Sequence, residues 1–105
     1  MSSQYLSPGP SREETDSFKG NAVLQFGNEF CGFCQNAEPF IIEALKSVKN
    51  LNHIKVEDGP GRKLGRSYRV KLWPTLIILK NGMEVGRVVR PNSVADIQRE
   101  LSKLL

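Results

Sequence analysis

The sequence predicts an α/β domain, a mixed central β-sheet flanked by helices on both faces, and three observations carry that prediction. Apolar strand patterns at residues 22–26 and 53–57 are separated by a long helical pattern, which requires a parallel crossover. Asn81-Gly82 lies between two further strand patterns and is the strongest short signal for a tight antiparallel hairpin. The chain has 105 residues, 39% hydrophobic and 25% charged, which suits one domain with one core and excludes a disordered chain.

Residues 1–10 read as a flexible N-terminal segment and residues 11–105 as the domain. Tyr5 and Leu6 allow a short edge strand, which Pro8-Gly9-Pro10 must end. Ser11 and Glu14 have the spacing of a capping box, so a short helix runs to about Phe18 and is closed by Lys19-Gly20-Asn21. The strand at residues 22–26 is apolar on nearly both faces and therefore central in its sheet. After a loop at residues 27–30, the longest helix runs from Cys31 to about Lys49. It carries Ala37, Ile41, Ala44, Leu45 and Val48 on one face and Pro39 inside it, where a kink is expected. Asn50 stops it. The strand at 53–57 leads to a Gly/Pro turn at 58–61 and a short basic helix at 62–68, with Leu64 and Tyr68 on one side. Strands Thr75–Lys80 and Met83–Val89 form the hairpin. Asn92 or Ser93 caps the last helix, whose stripe is Val94, Ile97, Leu101 and Leu104.

The longest apolar run, residues 76–79, falls far short of the roughly 20 residues that cross a bilayer. Residues 1–9 lack the apolar core of a secretory signal, so a cytoplasmic protein without a membrane partner is expected if Met1 is the natural start. A net charge of +4 fits an acidic partner or plain solubility. No aromatic–basic strand pattern suited to stacking bases stands out, so no nucleic-acid partner is expected. There are two cysteines, Cys31 and Cys34, three positions apart. In a reducing compartment a lone close pair suits a cycle between dithiol and disulfide better than a structural brace. Structural zinc normally takes four ligands, and the chain offers these two thiols and His53, so no metal site is expected. His53 reads as a strand-edge residue.

Taken with Pro39, Trp73-Pro74-Thr75 and Lys80-Asn81-Gly82, the run Phe26-Gly27-Asn28-Glu29-Phe30-Cys31-Gly32-Phe33-Cys34 resembles the thioredoxin family over residues 11–105. The resemblance implies the thioredoxin fold and two-electron exchange with protein disulfides. Cys31 falls in the first helical turn, where unpaired N–H groups and the positive end of the dipole favour a thiolate, and is assigned as the nucleophile. Cys34, one turn on and more buried, resolves the mixed disulfide. Pro74 corresponds by resemblance to a cis-proline that faces the disulfide and lets the Trp73 peptide groups pair with an extended substrate. On the residues alone, a trans proline opening a strand is the simpler reading.

The chain also departs from the family. Phe30 and Phe33 stand where a Trp and a Pro are usual, and Gly27 replaces another Trp. Gln25, six positions before Cys31, replaces a buried Asp that helps deprotonate the resolving cysteine. Glutamine cannot take a proton at neutral pH, so slower resolution of the mixed disulfide is expected. Lys55 matches the lysine that accompanies that acid; it is either a surface residue or turned inward to favour a Cys34 thiolate. Glu57 and Glu29 are substitute bases or solvated carboxylates. Trp73 is either core packing or a flat docking surface, forming an aromatic collar with Phe30 and Phe33. Gly32, Thr75 and Arg90 complete the expected substrate lip. Arg62, Lys63, Arg66, Arg69, Lys71 and Arg90 are either a solvated helix face or a basic rim that steers acidic substrates.

The function expected is therefore thiol–disulfide exchange, reducing protein disulfides through the Cys31/Cys34 dithiol. A monomer with no bound organic cofactor is expected, regenerated by an external reductant, a flavin-dependent thioredoxin reductase or glutathione. The alternative is a thioredoxin-fold binding or assembly factor with little redox turnover.

Overall fold

A computed structural model describes residues 4–105. Four strands, β1 (Asn21–Gly27), β2 (Leu51–Glu57), β3 (Thr75–Lys80) and β4 (Met83–Val89), form one sheet in the order β2-β1-β3-β4. β1 pairs in parallel with β2 and antiparallel with β3, and β3 pairs antiparallel with β4, so the sheet is mixed. Both interior strands are buried on both faces, as their unbroken apolar runs require.

The side-chain alternation of β1 divides the core in two. Val23, with Leu76, Ile78 and Val88, packs under α2 (Gly32–Leu45) and α4 (Val94–Leu101), meeting Ala37, Ile41, Ala44, Ile97 and Leu101. Ala22, Leu24 and Phe26, with Ile77 and Leu79, pack on the opposite face against Leu64 and Tyr68. That face is covered by α1 (Arg12–Asp16) and α3 (Lys63–Ser67), which are joined by a hydrogen bond of 2.8 Å between the buried hydroxyls of Thr15 and Tyr68.

Local signals explain the boundaries. Ser11 and Glu14 form a reciprocal capping box. α2 runs through Pro39 but stops at Leu45, short of the expected end near Lys49. Its continuation tightens into bonds from Ser47 N–H to the Ala44 carbonyl and from Val48 N–H to the Leu45 carbonyl, and Asn50 reverses the chain at φ 58°. Asn81 and Gly82 both take positive φ, 50° and 82°, as the hairpin turn needs. Ser93 caps α4, its hydroxyl accepting from the Asp96 N–H at 3.2 Å.

The N-terminal segment is fastened rather than loose from Tyr5 onward. Leu6 donates to the Lys55 carbonyl at 2.8 Å and accepts from the Glu57 N–H at 3.0 Å, a single parallel bridge on the outer edge of β2. Edge strands carry unpaired backbone groups, and this short strap satisfies two of them. Residues 1–3 of the segment lie outside the described residues.

Candidate active site

β1 ends at Gly27 and delivers the chain to Cys31, the N-cap of α2. Cys31 has extended backbone (φ −81°, ψ 117°), and its Sγ accepts the Cys34 N–H at 3.2 Å. This is one of the orphan donors of the first turn, and the bond strengthens when the sulfur carries negative charge. Cys31 is half-buried and Cys34 is buried, both as free thiols. Desolvation, followed by the hydrogen bond with Cys31, pushes the Cys34 thiol up from 9.0 to about 11. One sulfur is presented to solvent and the other is held neutral behind it.

The peptide bond before Pro74 is cis. Arg90, in the left-handed region at φ 48°, closes the loop after β4 against it: its N–H donates to the Pro74 carbonyl and its Nε to the Trp73 carbonyl, both at 2.9 Å. The Arg90 guanidinium also lies 3.8 Å from the centre of the Phe33 ring. Phe30 is 91% exposed and Phe33 56%. Gly32, at the first position of α2, faces open space.

Two expectations for the lip change. The aromatic collar is divided, because Trp73 packs beside the Leu64–Tyr68 core and its indole N–H donates to Asp58 at 2.9 Å. A half-buried indole takes the side that offers both a carboxylate and apolar cover. Thr75 is buried and its hydroxyl is spent on the Leu72 carbonyl, so its side chain is not part of a lip. The basic residues also separate. Arg62, Arg66, Arg69 and Lys71 surround a cleft of about 440 Å³ with Trp73 and Asp58. Lys63 lines a different cleft, and Arg90 sits on the Phe33 side.

Behind Cys34 lies a connected polar group. Gln25 is fully buried; its amide nitrogen donates to the Tyr5 hydroxyl and to Glu38 Oε1, each at 3.0 Å. Its carbonyl oxygen pairs with His53 Nε2 at 2.8 Å, so His53 carries its proton on that nitrogen. Lys55 is turned inward and buried, its Nζ 2.9 Å from Glu38 Oε2 and 4.6 Å from the centre of the Tyr5 ring. The Tyr5 hydroxyl and the Cys34 sulfur both lie against Gly27 and influence each other. Burial raises the Tyr5 hydroxyl above its ordinary range and lowers the His53 imidazole below 6.5, so both are neutral near pH 7.

Of the carboxylates considered as substitute bases, Glu57 is tied to Arg62, while Glu29 stands exposed in the loop before Cys31. The carboxylate that reaches the buried side is Glu38. Its signal was its place four residues after Cys34, which puts both on one face of α2. Tyr5 had no such signal, since a strap across a sheet edge leaves no periodicity.

The chain is similar to known proteins. The Thioredoxin family profile matches residues 12–103. The chain is 32% identical over 78 residues to a thioredoxin of Echinococcus granulosus, covering 72% of this chain and 73% of that one. It is 33% identical over 81 residues to a thioredoxin of Chlamydia pneumoniae, covering 75% and 79%. The structure of reduced thioredoxin 2 from Pseudomonas aeruginosa PAO1 superposes with a TM-score of 0.87 at 44% identity, covering 99% of this chain and 96% of that one. With the fold, the half-buried and buried cysteines one turn apart and these relatives in agreement, the chain belongs to the thioredoxin family and is a dithiol protein-disulfide oxidoreductase.

Proposed function

We propose that the protein works as a cytoplasmic monomer that reduces protein disulfides, is regenerated by a thioredoxin reductase or by glutathione, and needs no bound organic cofactor. The observation that carries the direction of attack is the unequal burial of two sulfurs one helical turn apart. Cys31 attacks the substrate disulfide from the mouth of α2, where the Cys34 N–H supports its charge. One substrate sulfur leaves as a thiol, and the other stays bound to Cys31. Cys34 then attacks Cys31, releasing the second substrate thiol and leaving a Cys31–Cys34 disulfide for the external reductant.

Substrate docks on the exposed rings of Phe30 and Phe33 and along the backbone at Trp73-Pro74, with Gly32 leaving room beside the sulfur. Arg90 sets the shape of this lip by holding the Trp73 carbonyl. An acidic substrate segment is favoured by the cleft beside Trp73, where four cations meet one carboxylate, Asp58. No helix is long and apolar enough to cross a membrane among the described residues.

The test is a redox titration of the cysteine pair against glutathione, with insulin reduction assayed on the same sample. A reversible two-electron transition with catalytic insulin reduction is expected. A disulfide that forms without turnover would replace this reading with that of a thioredoxin-fold binding factor.

A further inference from the structure

A carboxylate that shares a cleft with the resolving sulfur lies on the helix, not on the strand. Cys34 and Glu38 are four residues apart on one face of α2, and both line a cleft of about 390 Å³ shared with Tyr5, Glu29 and Lys55. Glu38 Oε1 and the Tyr5 hydroxyl are held side by side by one amide, that of Gln25, and the Tyr5 hydroxyl and the Cys34 sulfur both lie against Gly27. Glu38 Oε2 is fixed by Lys55. A carboxylate has about four lone-pair sites, and two are occupied here, so two remain to accept from water in the cleft.

We infer that Glu38 is the proton acceptor for Cys34, relocated from the strand position that Gln25 occupies to the helix that carries both cysteines. The inference rests on the oxidoreductase reading and assigns one step of it. As Cys34 attacks, its S–H gives the proton through a cleft water to the Glu38 carboxylate. The Cys34 sulfur bonds to Cys31 Sγ, the bond between Cys31 and the substrate sulfur breaks, and that sulfur leaves with the electron pair and takes a proton from solvent. The dithiol is oxidised, and the substrate disulfide is reduced to two thiols. Glu38 then returns its proton to solvent through the open side of the cleft.

A base is needed because the buried Cys34 thiol, raised to about 11, is scarcely ionised near neutral pH. The other titratable groups near Cys34 are unsuited to the role. Cys31 is the target of the attack. Tyr5 is a neutral hydroxyl, and His53 is turned to Gln25. Lys55 is an ammonium with no acceptor capacity. Glu29 lines the cleft but belongs to an exposed loop position. Gln25 has the orienting role: it donates with both N–H groups and so holds the carboxylate beside the Tyr5 hydroxyl without exchanging a proton.

The experiment follows the reaction of reduced full-length protein with an aromatic disulfide by stopped flow. The first thiolate released reports attack by Cys31, and the second reports resolution by Cys34. In the unmutated protein the second phase is expected to be nearly flat between about pH 6 and pH 8, since the base and not hydroxide removes the proton. Glu38→Gln should slow that phase by about tenfold to a hundredfold, leave the first phase within about twofold, and make the second climb about tenfold per pH unit. Glu38→Asp should recover part of the rate, and Gln25→Asp added to Glu38→Gln should recover more by returning an acid to the strand. Gln25→Asp alone should accelerate little. A Glu38→Gln, Lys55→Gln pair keeps two amides facing each other without an unpaired buried charge, should the single variant fail to fold. A second phase that climbs with pH throughout in the unmutated protein, or that is unchanged in rate and profile by Glu38→Gln, overturns the assignment of Glu38 alone. Absence of any second phase with no insulin reduction overturns the oxidoreductase reading beneath it.

Discussion

On the solvent side of the cysteine pair, Phe30 and Phe33 stand largely exposed and the Trp73 carbonyl is held by one arginine. Behind Cys34, five side chains from four segments converge: Tyr5 from the strap, Gln25 from β1, Glu38 from α2, and His53 and Lys55 from β2. No buried side-chain nitrogen or oxygen lacks a partner among the described residues. The difference teaches where substitutions should act. The front stands exposed to solvent, so changes there should alter recognition more than stability. At the rear each group satisfies another, and removing one leaves a buried partner exposed to the full desolvation cost.

The largest effects should come from the sulfurs themselves, which join the two sides. Cys31→Ser is expected to lower insulin reduction by at least about a thousandfold, because a hydroxyl cannot form the mixed disulfide. Cys34→Ser should also stop turnover, yet leave Cys31 able to capture substrate as a covalent adduct on a non-reducing gel. If Cys34→Ser turned over normally, the division between an attacking front and a resolving rear would be wrong.

Next in size is the rear ion pair. The Lys55 side chain is 5% exposed and that of Glu38 28%, against 69% and 64% for the surface pair Lys46–Glu43. Lys55→Ala should cost about 2–3 kcal/mol, toward the low side for a buried pair because Glu38 is partly wet, whereas Lys46→Ala should cost less than about 0.5 kcal/mol. Urea midpoints with unchanged slopes would measure both. Equal costs would mean that the rear network is no more than surface decoration.

A glycine pair sharpens the same contrast. A Cβ at Gly27 would lie 2.5 Å from Cys34 Sγ and 3.0 Å from the Tyr5 hydroxyl, whereas one at Gly32 would meet nothing within 4 Å. Gly27→Ala is therefore expected to destabilise by about 1–3 kcal/mol through overpacking. Gly32→Ala should be neutral or slightly stabilising, by up to about 1 kcal/mol, in the first turn of α2. Thermal unfolding of the two variants separates them, and a harmless Gly27→Ala would show that Tyr5 does not press against the sulfur.

These regions were unequally legible in the sequence. The sheet, its hairpin, the cap at Ser11 and a cap at Asn92 or Ser93 were readable because each rests on a local pattern: short apolar runs, an Asn-Gly turn, a side-chain oxygen before a helix. The cysteine pair was readable from its spacing together with its place between a buried strand and a helix and with the Trp73-Pro74-Thr75 run farther on. The division of Trp73 from Phe30 and Phe33 was not, because it depends on Asp58, fifteen residues away, capturing the indole N–H. The inward turn of Lys55 could have been read from its partner: Gln25 and Lys55 are opposite each other in the parallel register of β1 and β2, so a buried Gln25 implies a buried Lys55. Tyr5 and Leu6 were readable as a short edge strand, but the reach of the Tyr5 hydroxyl to Gln25 was hidden, since it joins residues twenty apart.

The smallest effect belongs to His53, whose role is to keep the Gln25 carbonyl paired. Burial is the main cause that holds its imidazole below 6.5, with Lys55 adding to it and Glu38 opposing it. Below that value the unfolded chain binds a proton that the folded protein resists, so the histidine's contribution is fully present above about 6.5 and is lost as pH falls. His53→Gln retains an N–H donor for the Gln25 oxygen but has no proton to take up. The variant should match the unmutated protein in stability at pH 7 to within about 1 kcal/mol and lose less on acidification. Urea midpoints at pH 7 and at mildly acidic pH check this directly. Parallel losses in both proteins would place the acid sensitivity elsewhere than in His53.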